Sequence, residues 1–241
     1  MIRLLVPHAS GSSVTIDGER LHYVTRVLRL RSGDALEVFD GKGQRFGAKV
    51  QSLDEKSATL TLENPRGEPA LREVLIVQGL PKGDKLELVL QKGTELGASA
   101  FLPAGCERSV VKLDGKEDSK RARWQRIAEE AARQSGRAEV PVVHAPAPLI
   151  KGVEVFAKSH VLLVLDEEER SVPLSQAVGA LTADQPIALI IGPEGGLARS
   201  EIDQLTRLGA RPVTLGRLVL RTETAALAAL SVVRHLDGVL G

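Results

Sequence analysis

Three short apolar segments constrain the fold of this chain more than any other feature of its sequence. Val74-Leu75-Ile76-Val77, Val161–Leu165 and Ile187–Ile191 are aliphatic throughout, apart from Ala188, and segments with helical spacing lie between them. Strands that are apolar on both faces are typical of a parallel sheet with helices packed on each side. The sequence therefore predicts an α/β domain. Its helices are expected at residues 84–96, 118–135, 174–181, 199–208 and 222–236, and further short strands at residues 100–103 and 140–143.

The first 65 residues or so alternate between apolar and polar side chains instead. Short strands are predicted at residues 14–16, 35–39, 44–50 and 57–62, and this spacing favours a small β-barrel. One helix is predicted here, over residues 19–30, with Asp17 as its N-cap residue. Its apolar face is expected to consist of Leu21, Val24, Val27 and Leu28.

The segment Glu63-Asn64-Pro65-Arg66-Gly67-Glu68-Pro69 interrupts this alternation. Its two prolines, its glycine and its charges make it the best candidate for a linker. The sequence thus predicts a small β-barrel domain at residues 1–68 and an α/β domain at residues 73–241.

The composition excludes several classes of protein. The 241 residues are 43% hydrophobic and 26% charged, as in ordinary globular proteins, and no apolar run approaches the roughly 18 residues that cross a bilayer. Cys106 is the only cysteine, and the five histidines form no metal-binding motif. We therefore expect a cytoplasmic enzyme without metal or membrane contact. Because the net charge is only +1, nucleic acid would have to bind a local basic patch.

Unusual loops follow three of the predicted strands. In open α/β sheets ligands bind beyond the carboxyl ends of the strands. Here these ends are followed by Asp166-Glu167, by the glycine loop (residues 192–196, Gly-Pro-Glu-Gly-Gly) and by the arginine loop (residues 215–221). Glycine lets the backbone approach a ligand closely. The glycine loop also suits a tight strand-to-helix turn, which by itself would explain one or two of its glycines.

The arginine loop ends with a signal that a turn does not explain. Thr222 can cap the last helix, and Glu223 is favourable beside a helix N-terminus. Arg221, however, precedes the helix start, where a positive charge opposes the helix dipole. An arginine at this position is more consistent with contact to a substrate or partner.

Common nucleotide-binding motifs are missing from the sequence. Neither G-x-G-x-x-G nor G-x-x-x-x-G-K-[ST] occurs, and there is no G-x-S-x-G nucleophile turn. The two loops suit instead a flat, adenosine-like ligand that is held by backbone groups and by the apolar side chains of Ile191, Leu215, Leu218 and Leu220.

A resemblance to a known family is carried by Ile190-Ile191-Gly192-Pro193-Glu194-Gly195-Gly196 and by Leu215-Gly216-Arg217-Leu218-Val219-Leu220-Arg221-Thr222-Glu223-Thr224-Ala225. Together they look like the SPOUT superfamily of methyltransferases, and most closely like the RsmE family, which methylates N3 of a uridine in 16S ribosomal RNA. Residues 22–29, 82–85, 91–97 and 130–137 resemble further signatures of that family in the same order.

The resemblance implies a PUA-like N-terminal β-barrel and a C-terminal α/β domain tied in a deep trefoil knot. It also implies S-adenosyl-L-methionine as cofactor, 16S ribosomal RNA of the small ribosomal subunit as substrate, and a homodimer with the knots packed at the interface. The residues expected to bind the cofactor are Leu165, Ile191, Gly192, Pro193, Glu194, Gly195, Gly196, Leu215, Gly216, Leu218, Leu220, Arg221, Thr224 and Ala225.

Arg221 and Glu223 are the candidates for catalysis, with Glu194 as an alternative to Glu223. Arg221 is expected to stabilise the uracil anion that forms as N3 loses its proton. Glu223 or Glu194 could accept that proton, although Glu223 also has a structural interpretation at the helix start and Glu194 one in the turn. The electrostatic role of Arg221 is favoured.

Substrate-binding residues are predicted in two basic groups and at one helix end. The first group is Arg26, Arg29 and Arg31 with Lys42 and Arg45. The second group is Lys112, Lys116, Lys120, Arg121, Arg123 and Arg126. Any single member of either group is better explained by a solvated charged face. Gln134 and Arg137 could line the site, or could simply end a helix, where arginine is favourable.

Two other functions remain open at this stage. One is a methyltransferase of the same superfamily that acts on transfer RNA or on a ribose hydroxyl. The N-terminal barrel and residues 134–137 argue against it. The other is a non-catalytic RNA-binding assembly factor, which would tolerate loss of the glycine loop.

Overall fold

The computed structural model describes residues 2–111 and 117–241, except for the side chain of Glu117. The chain packs as two units. The first contains the residues up to Ala70 together with Ala132–Val140, and the second contains Leu71–Ala131 and Pro141–Gly241. Residues 132–140, which the sequence places in the second domain, therefore pack with the first unit.

The first unit is built on one five-stranded sheet. Its strands are β1 (Arg3–Leu5), β2 (Ser13–Ile16), β3 (Ala35–Phe39), β4 (Gln44–Leu53) and β5 (Ala58–Gly67), in the order β1-β3-β4-β5-β2. β1 pairs with β3 in parallel, and the other pairs are antiparallel. The short edge strands β1 and β2 are not paired with each other among the described residues. The expected barrel is therefore a curled half-barrel around a core that includes Val38, Phe46 and Leu60.

Most of the predicted linker is strand. β5 continues to Gly67, which pairs with Gln44, and Glu63 pairs with Gly47. A register shift between these pairs accommodates Asn64, at φ +50°, and Pro65, since proline is tolerated where a bulge interrupts the hydrogen-bonded ladder. The prediction of a break at residue 63 was wrong because the bulge absorbs residues that otherwise end a strand.

The predicted helix over residues 19–30 was also wrong in part. α1 covers only Gly18–His22 and continues as a π-helical turn at Tyr23–Val27, and the Asp17 side chain makes no capping hydrogen bond. In the wider π turn the Leu28 N–H bonds to Tyr23 O at 2.9 Å. The wider turn changes the direction in which successive side chains point. Val27 is 58% exposed, whereas Leu21 and Val24 are buried as predicted.

The second unit contains a parallel sheet. Its strands are β6 (Val74–Gly79), β7 (Ala100–Gly105), β8 (Val142–Val143), β9 (Ala147–Pro148), β10 (Val161–Leu165), β11 (Ile187–Ile191) and β12 (Arg211–Val213). The order is β12-β10-β11-β6-β7-β8, with β9 also paired to β7. Val74 and Ile76 face one hydrophobic core and Leu75 and Val77 the other. This confirms the sheet that the apolar segments predict.

Six helices are described in the α/β part of the chain. They are α2 (Lys85–Glu95), α3 (Glu117–Ser135), α4 (Leu149–Glu154), α5 (Leu174–Gly179), α6 (Arg199–Arg207) and α7 (Thr222–Leu236). The bounds of α7 are those predicted, and α3 ends at Gly136, whose φ of +78° terminates it. Among the described residues no helix is both long and apolar enough to span a bilayer.

The strand order determines where the site lies. β10 pairs with both β12 and β11, and all three strands run parallel. Their carboxyl ends therefore lie side by side, and the loops that follow Leu165, Ile191 and Val213 meet at one edge of the sheet.

Candidate functional site

These loops enclose a cavity of about 550 Å³. Every residue predicted to bind cofactor lines it except Thr224, which is exposed on α7. Glu223 does not line it either. The other lining residues were not predicted to bind cofactor, and they are Lys85, Asp166, Glu167, Arg170, Val213, Thr214, Arg217, Val219 and Thr222. Of these, Lys85, Arg217, Val219 and Thr222 lie in family-like segments, and Asp166 and Glu167 form one of the three unusual loops that the sequence shows.

Two glycines of the glycine loop are required by its backbone. A Cβ on Gly192 would lie 2.9 Å from the Gly196 carbonyl carbon and from the Leu197 nitrogen. Gly196 has a φ of +67°, and its Cβ would lie 2.5 Å from Glu167 Oε1. Gly195 is less constrained, with its nearest contact at 3.2 Å from Arg108 Cβ. The turn thus explains two of the three glycines, and its tight backbone forms one wall of the cavity.

Thr222 connects the glycine loop to β6 and α7 by hydrogen bonds. Its hydroxyl donates to Gly192 O at 2.5 Å and accepts a hydrogen bond from Gln78 Nε2 at 2.7 Å. Thr222 is buried and makes no capping hydrogen bond, so the N-cap interpretation was wrong. The N-cap position is occupied by Arg221, and the threonine links the ends of β6 and β11 to the start of α7.

A lysine and two carboxylates lie beside the glycine loop. Lys85 Nζ donates to Glu194 Oε1 at 2.8 Å and lies 3.9 Å from Glu223 Oε2. The Lys82 N–H also donates to Glu194 Oε1, at 3.1 Å. Partial burial raises the pKa of Glu194, but the hydrogen bonds from Lys85 and from backbone N–H groups outweigh it and lower the pKa below its usual value. Glu194 is therefore ionised at neutral pH in the free protein.

Asp166 adds a fixed negative charge to the wall. Its Oδ1 accepts hydrogen bonds from Arg199 Nη2 at 2.5 Å and from the Glu168 N–H at 3.0 Å. Burial raises the pKa of Asp166, and these hydrogen bonds, together with nearby arginine charges, lower it further than burial raises it. The carboxylate is thus charged at neutral pH.

The arginine loop is the exposed wall. Leu218 and Val219 are 80% and 87% exposed. The Arg221 guanidinium has no hydrogen-bond or ion-pair partner within residues 2–111 and 117–241. Arg221 is exposed and lines the cavity.

The predicted RNA-binding residues lie in different settings. Arg26, Arg29 and Arg31 are exposed in the first unit, and Arg29 has a φ of +54°. Arg45 instead pairs with Glu37 and Glu68. In the second group Arg121 bonds to Val143 O and Arg123 pairs with Glu87, while Lys112 and Lys116 lie outside the described residues. Arg45, Arg121 and Arg123 are therefore engaged within the protein.

Gln134 and Arg137 do not line the cavity and belong to the first unit. Gln134 is exposed at the end of α3, and Arg137 is largely buried. Burial lowers the pKa of Arg137, and Glu139 partly opposes this effect. The cavity lining therefore does not support a role for Gln134 or Arg137 at this site.

Among the described residues no group of three or more histidine, cysteine or acidic side chains is arranged to hold a metal ion.

Comparison with known proteins gives matches over both units. Residues 68–234 match the family described as RNA methyltransferase domain, and residues 16–63 match RNA methyltransferase PUA domain. Ribosomal RNA small subunit methyltransferase E of Bacillus subtilis (strain 168) is 40% identical over 92% of this chain and 89% of its own length. The protein of the same name from Synechocystis is 36% identical, over 93% of this chain and 74% of its own length.

Solved structures of similar proteins give the same family of matches. Ribosomal RNA small subunit methyltransferase E from Neisseria gonorrhoeae, bound to S-adenosyl methionine, has a TM-score of 0.86 at 30% identity and covers 98% of both chains. A methyltransferase from Legionella pneumophila, in complex with the same cofactor, has a TM-score of 0.81 at 30% identity and covers 97% of this chain and 96% of its own. The α/β unit therefore has a SPOUT-type fold, and the first unit has the PUA-like fold.

Proposed function

This chain belongs to the RNA methyltransferase family of ribosomal RNA small subunit methyltransferase E, and we propose that it transfers a methyl group from S-adenosyl-L-methionine to N3 of a uridine in 16S ribosomal RNA. The observation that carries the proposal is the cavity between the glycine loop and the arginine loop. A substrate in the small ribosomal subunit places this activity in the cytoplasm.

The cavity fits the cofactor in size and in chemistry. Its volume of about 550 Å³ lies within the range of small-molecule sites. Ile191, Leu215 and Leu220 would pack against the flat adenine, and the backbone of the glycine loop can approach closely because Gly192 and Gly196 have no side chains. Asp166 and Glu167 would accept hydrogen bonds from hydroxyl or ammonium donors. When bound, the cofactor supplies a methyl group that is already activated on a sulfonium.

The protein has to place the uracil ring and help N3 lose its proton. Arg221 faces the cavity without a partner in the described chain. A guanidinium there stabilises the negative charge that spreads onto the uracil oxygens as N3–H ionises. This is the catalytic role that we assign to Arg221.

The RNA itself is proposed to bind Arg26, Arg29 and Arg31, which are exposed in the first unit, with Gln134 and Arg137 contributing from residues 132–140. Each lost phosphate contact flattens the dependence of log affinity on log salt concentration by roughly 0.7–0.9. We expect the triple alanine variant to show a flatter slope in filter binding. An unchanged slope would mean that these arginines do not contact RNA.

A homodimer is part of the proposal. Leu218 and Val219 project from the arginine loop with most of their surface exposed, and apolar side chains this exposed at a functional loop are typical of an interface. The second copy would cover this wall of the cavity.

The function is tested by two measurements on the intact protein. Calorimetry should show S-adenosylmethionine binding, and mass analysis of small subunits from a deletion strain, treated with protein and cofactor, should locate one new methyl group on N3 of a uridine. A methyl group on ribose or on transfer RNA would support the related methyltransferase instead. The absence of cofactor binding would leave the assembly factor.

A further inference from the structure

Lys85 lies between two carboxylates that come from different loops. Its ammonium donates to Glu194 of the glycine loop at 2.8 Å, and the Glu223 Oε2 on α7 is 3.9 Å away. The side chains of Lys85 and Glu194 are each about one third exposed, and both line the cavity. One ammonium therefore has two carboxylate partners within reach, and only one of them is close enough for a hydrogen bond.

The second carboxylate, Glu223, has an oxygen without a hydrogen-bond donor in the described structure. Glu223 Oε2 is buried and has no hydrogen-bond partner in the described structure, and the Glu223 side chain is only 12% exposed. A buried charged oxygen without a donor is costly, by more than the 1–3 kcal/mol typical of a neutral group. Lys85 is the cation nearest to this oxygen, and a small rotation of its flexible side chain would complete the hydrogen bond.

Glu194 is the partner that faces the ligand. It belongs to the cavity lining, whereas Glu223 does not. The ion pair with Lys85 and the Lys82 N–H weaken Glu194 as a base in the free protein, because both stabilise the ionised form. Moving Lys85 away from Glu194 would therefore strengthen the base at the place where the substrate binds.

We propose that Glu194 is the general base of the methyl transfer, and that Lys85 moves from Glu194 to Glu223 as Glu194 takes up the proton. This proposal rests on the proposed function and assigns the proton acceptor of that reaction. It gives Glu223 the role of a positioning residue, which acts through Lys85 and does not touch the substrate.

The N3–H proton of the uracil passes to the Glu194 carboxylate, and the N3 electron pair forms the bond to the methyl carbon. The methyl–sulfur bond breaks with its electrons remaining on sulfur, which becomes a neutral thioether. Lys85 stays protonated throughout and pairs with Glu223 while Glu194 is neutral. Glu194, which is partly exposed, then releases its proton to water.

Other charged side chains lie near the glycine loop or line the same cavity as Glu194. Arg108 donates to Gly195 O at 3.0 Å, Glu167 lies beside Gly196, and Arg221 and Arg170 line the same cavity. All of these stay in place when Lys85 or Glu223 is replaced singly. Differences between those variants therefore report on the lysine and its two partners.

The first experiment replaces the base. Glu194→Gln should lower kcat by about 100-fold or more, as loss of a general base typically does, while calorimetry shows S-adenosylmethionine affinity changed less than kcat. The assay uses the full chain, small subunits from a deletion strain and radiolabelled cofactor. A Glu194→Gln variant that binds cofactor and keeps wild-type kcat would overturn the proposal.

The second experiment needs no catalysis. Carbon-13 NMR of the cofactor-free protein follows titration of the Glu194 carboxyl carbon, assigned by its loss in Glu194→Gln. Lys85→Met removes a cation and should raise the pKa of Glu194, whereas Glu223→Gln keeps Lys85 on Glu194 and should lower it. The acidic limb of the kcat profile should shift in the same opposite directions. Unshifted titrations in both variants would mean that the cluster is only structural.

Matched controls come from the far end of the same helix. Lys92 and Glu95 form an exposed ion pair at 2.8 Å on α2, so Lys92→Met and Glu95→Gln should leave both the titration and kcat unchanged. The assay distinguishes a failure of the proposed function from a failure of the roles given to the three residues. If wild-type protein does not methylate the subunit, the proposed function fails, whereas an active wild type with unshifted variants overturns only the roles of Lys85, Glu194 and Glu223.

Discussion

The two loops that form the cavity differ in how much of their conformation the protein itself determines. The glycine loop is held by hydrogen bonds from Thr222 to Gly192 O, from Lys82 to Glu194 and from Arg108 to Gly195 O. The arginine loop has a hydrogen bond from Gly216 N–H to Thr214 Oγ1 at 3.1 Å near its start, and its central side chains point into solvent.

This difference bears on which loop is preformed for the cofactor and which awaits a further partner. A wall that is already rigid can hold a cofactor without a further cost in ordering. An exposed loop with an unpartnered arginine is suited to a group that arrives later, such as RNA or a second copy of the chain. Substitutions of the glycines in the glycine loop should therefore affect cofactor affinity. Substitutions of Glu194, or of Arg221 and Val219 in the arginine loop, should instead affect turnover or association.

Arg221→Ala should have the largest effect. Removal of one group that stabilises developing negative charge typically lowers kcat by about 100- to 1,000-fold. Cofactor affinity, measured by calorimetry, should change much less. Loss of affinity with the saturated rate intact would contradict the catalytic role and would make the two loops equivalent.

Gly192→Ala should weaken cofactor binding by straining the backbone of the glycine loop. The added Cβ lies 2.9 Å from backbone atoms of Gly196 and Leu197, which cannot move independently. Backbone strain of roughly 1–3 kcal/mol corresponds to an affinity loss of about tenfold to a hundredfold, measured by calorimetry with S-adenosylmethionine. Gly179→Ala is the control, because its Cβ would meet nothing within 4 Å. Equal losses in both variants would argue against a preformed wall.

Thr222→Val tests what holds that wall in place. The valine keeps the shape of the side chain but leaves Gly192 O without its donor, at a cost of about 1–3 kcal/mol in the free energy of unfolding. Urea denaturation measures it, with the exposed neighbour Thr224→Val as control. If Thr222→Val were as stable as the control, the glycine loop would not depend on α7.

Val219→Ser should have the smallest effect, and only on association. Val219 is 87% exposed, so the free energy of unfolding of the monomer should change by less than about 0.5 kcal/mol. If the arginine loop packs against a second copy, loss of about 1.4 kcal/mol of apolar burial should raise the dimer dissociation constant roughly tenfold, measured by sedimentation. Val155→Ser, at a residue 75% exposed elsewhere, should leave it unchanged. Equal sedimentation of both variants would exclude Val219 from the interface.

Much of the second unit could be predicted because its signals are local. Val161–Leu165 and Ile187–Ile191 are strands with the predicted bounds, and α7 begins and ends where expected. Aliphatic runs and helical periodicity arise from burial of neighbouring side chains, which a sequence displays directly. In the first unit, by contrast, Val27 became exposed through a π-helical turn that has no comparable signal.

The site was predictable in its composition but not in its connections. Thr222 has the sequence position of a helix cap, and only its contacts with Gln78 and Gly192, 144 and 30 residues away, reveal it as a link between loops. The sequence makes Glu223 a candidate base, and in the structure Glu223 lies 3.9 Å from Lys85 and is not part of the cavity lining.

The sequence by itself determined the α/β sheet, the two loops and the family, because hydrophobic patterns and ordered segments are properties of the chain. Tertiary structure decided which charges meet. Lys85, Glu194 and Glu223 come from α2, the glycine loop and α7, and they lie together because parallel strands end at one edge of the sheet. Hydrogen bonds and ion pairs depend on distances of a few ångströms between residues far apart in the chain, and only packing determines those distances.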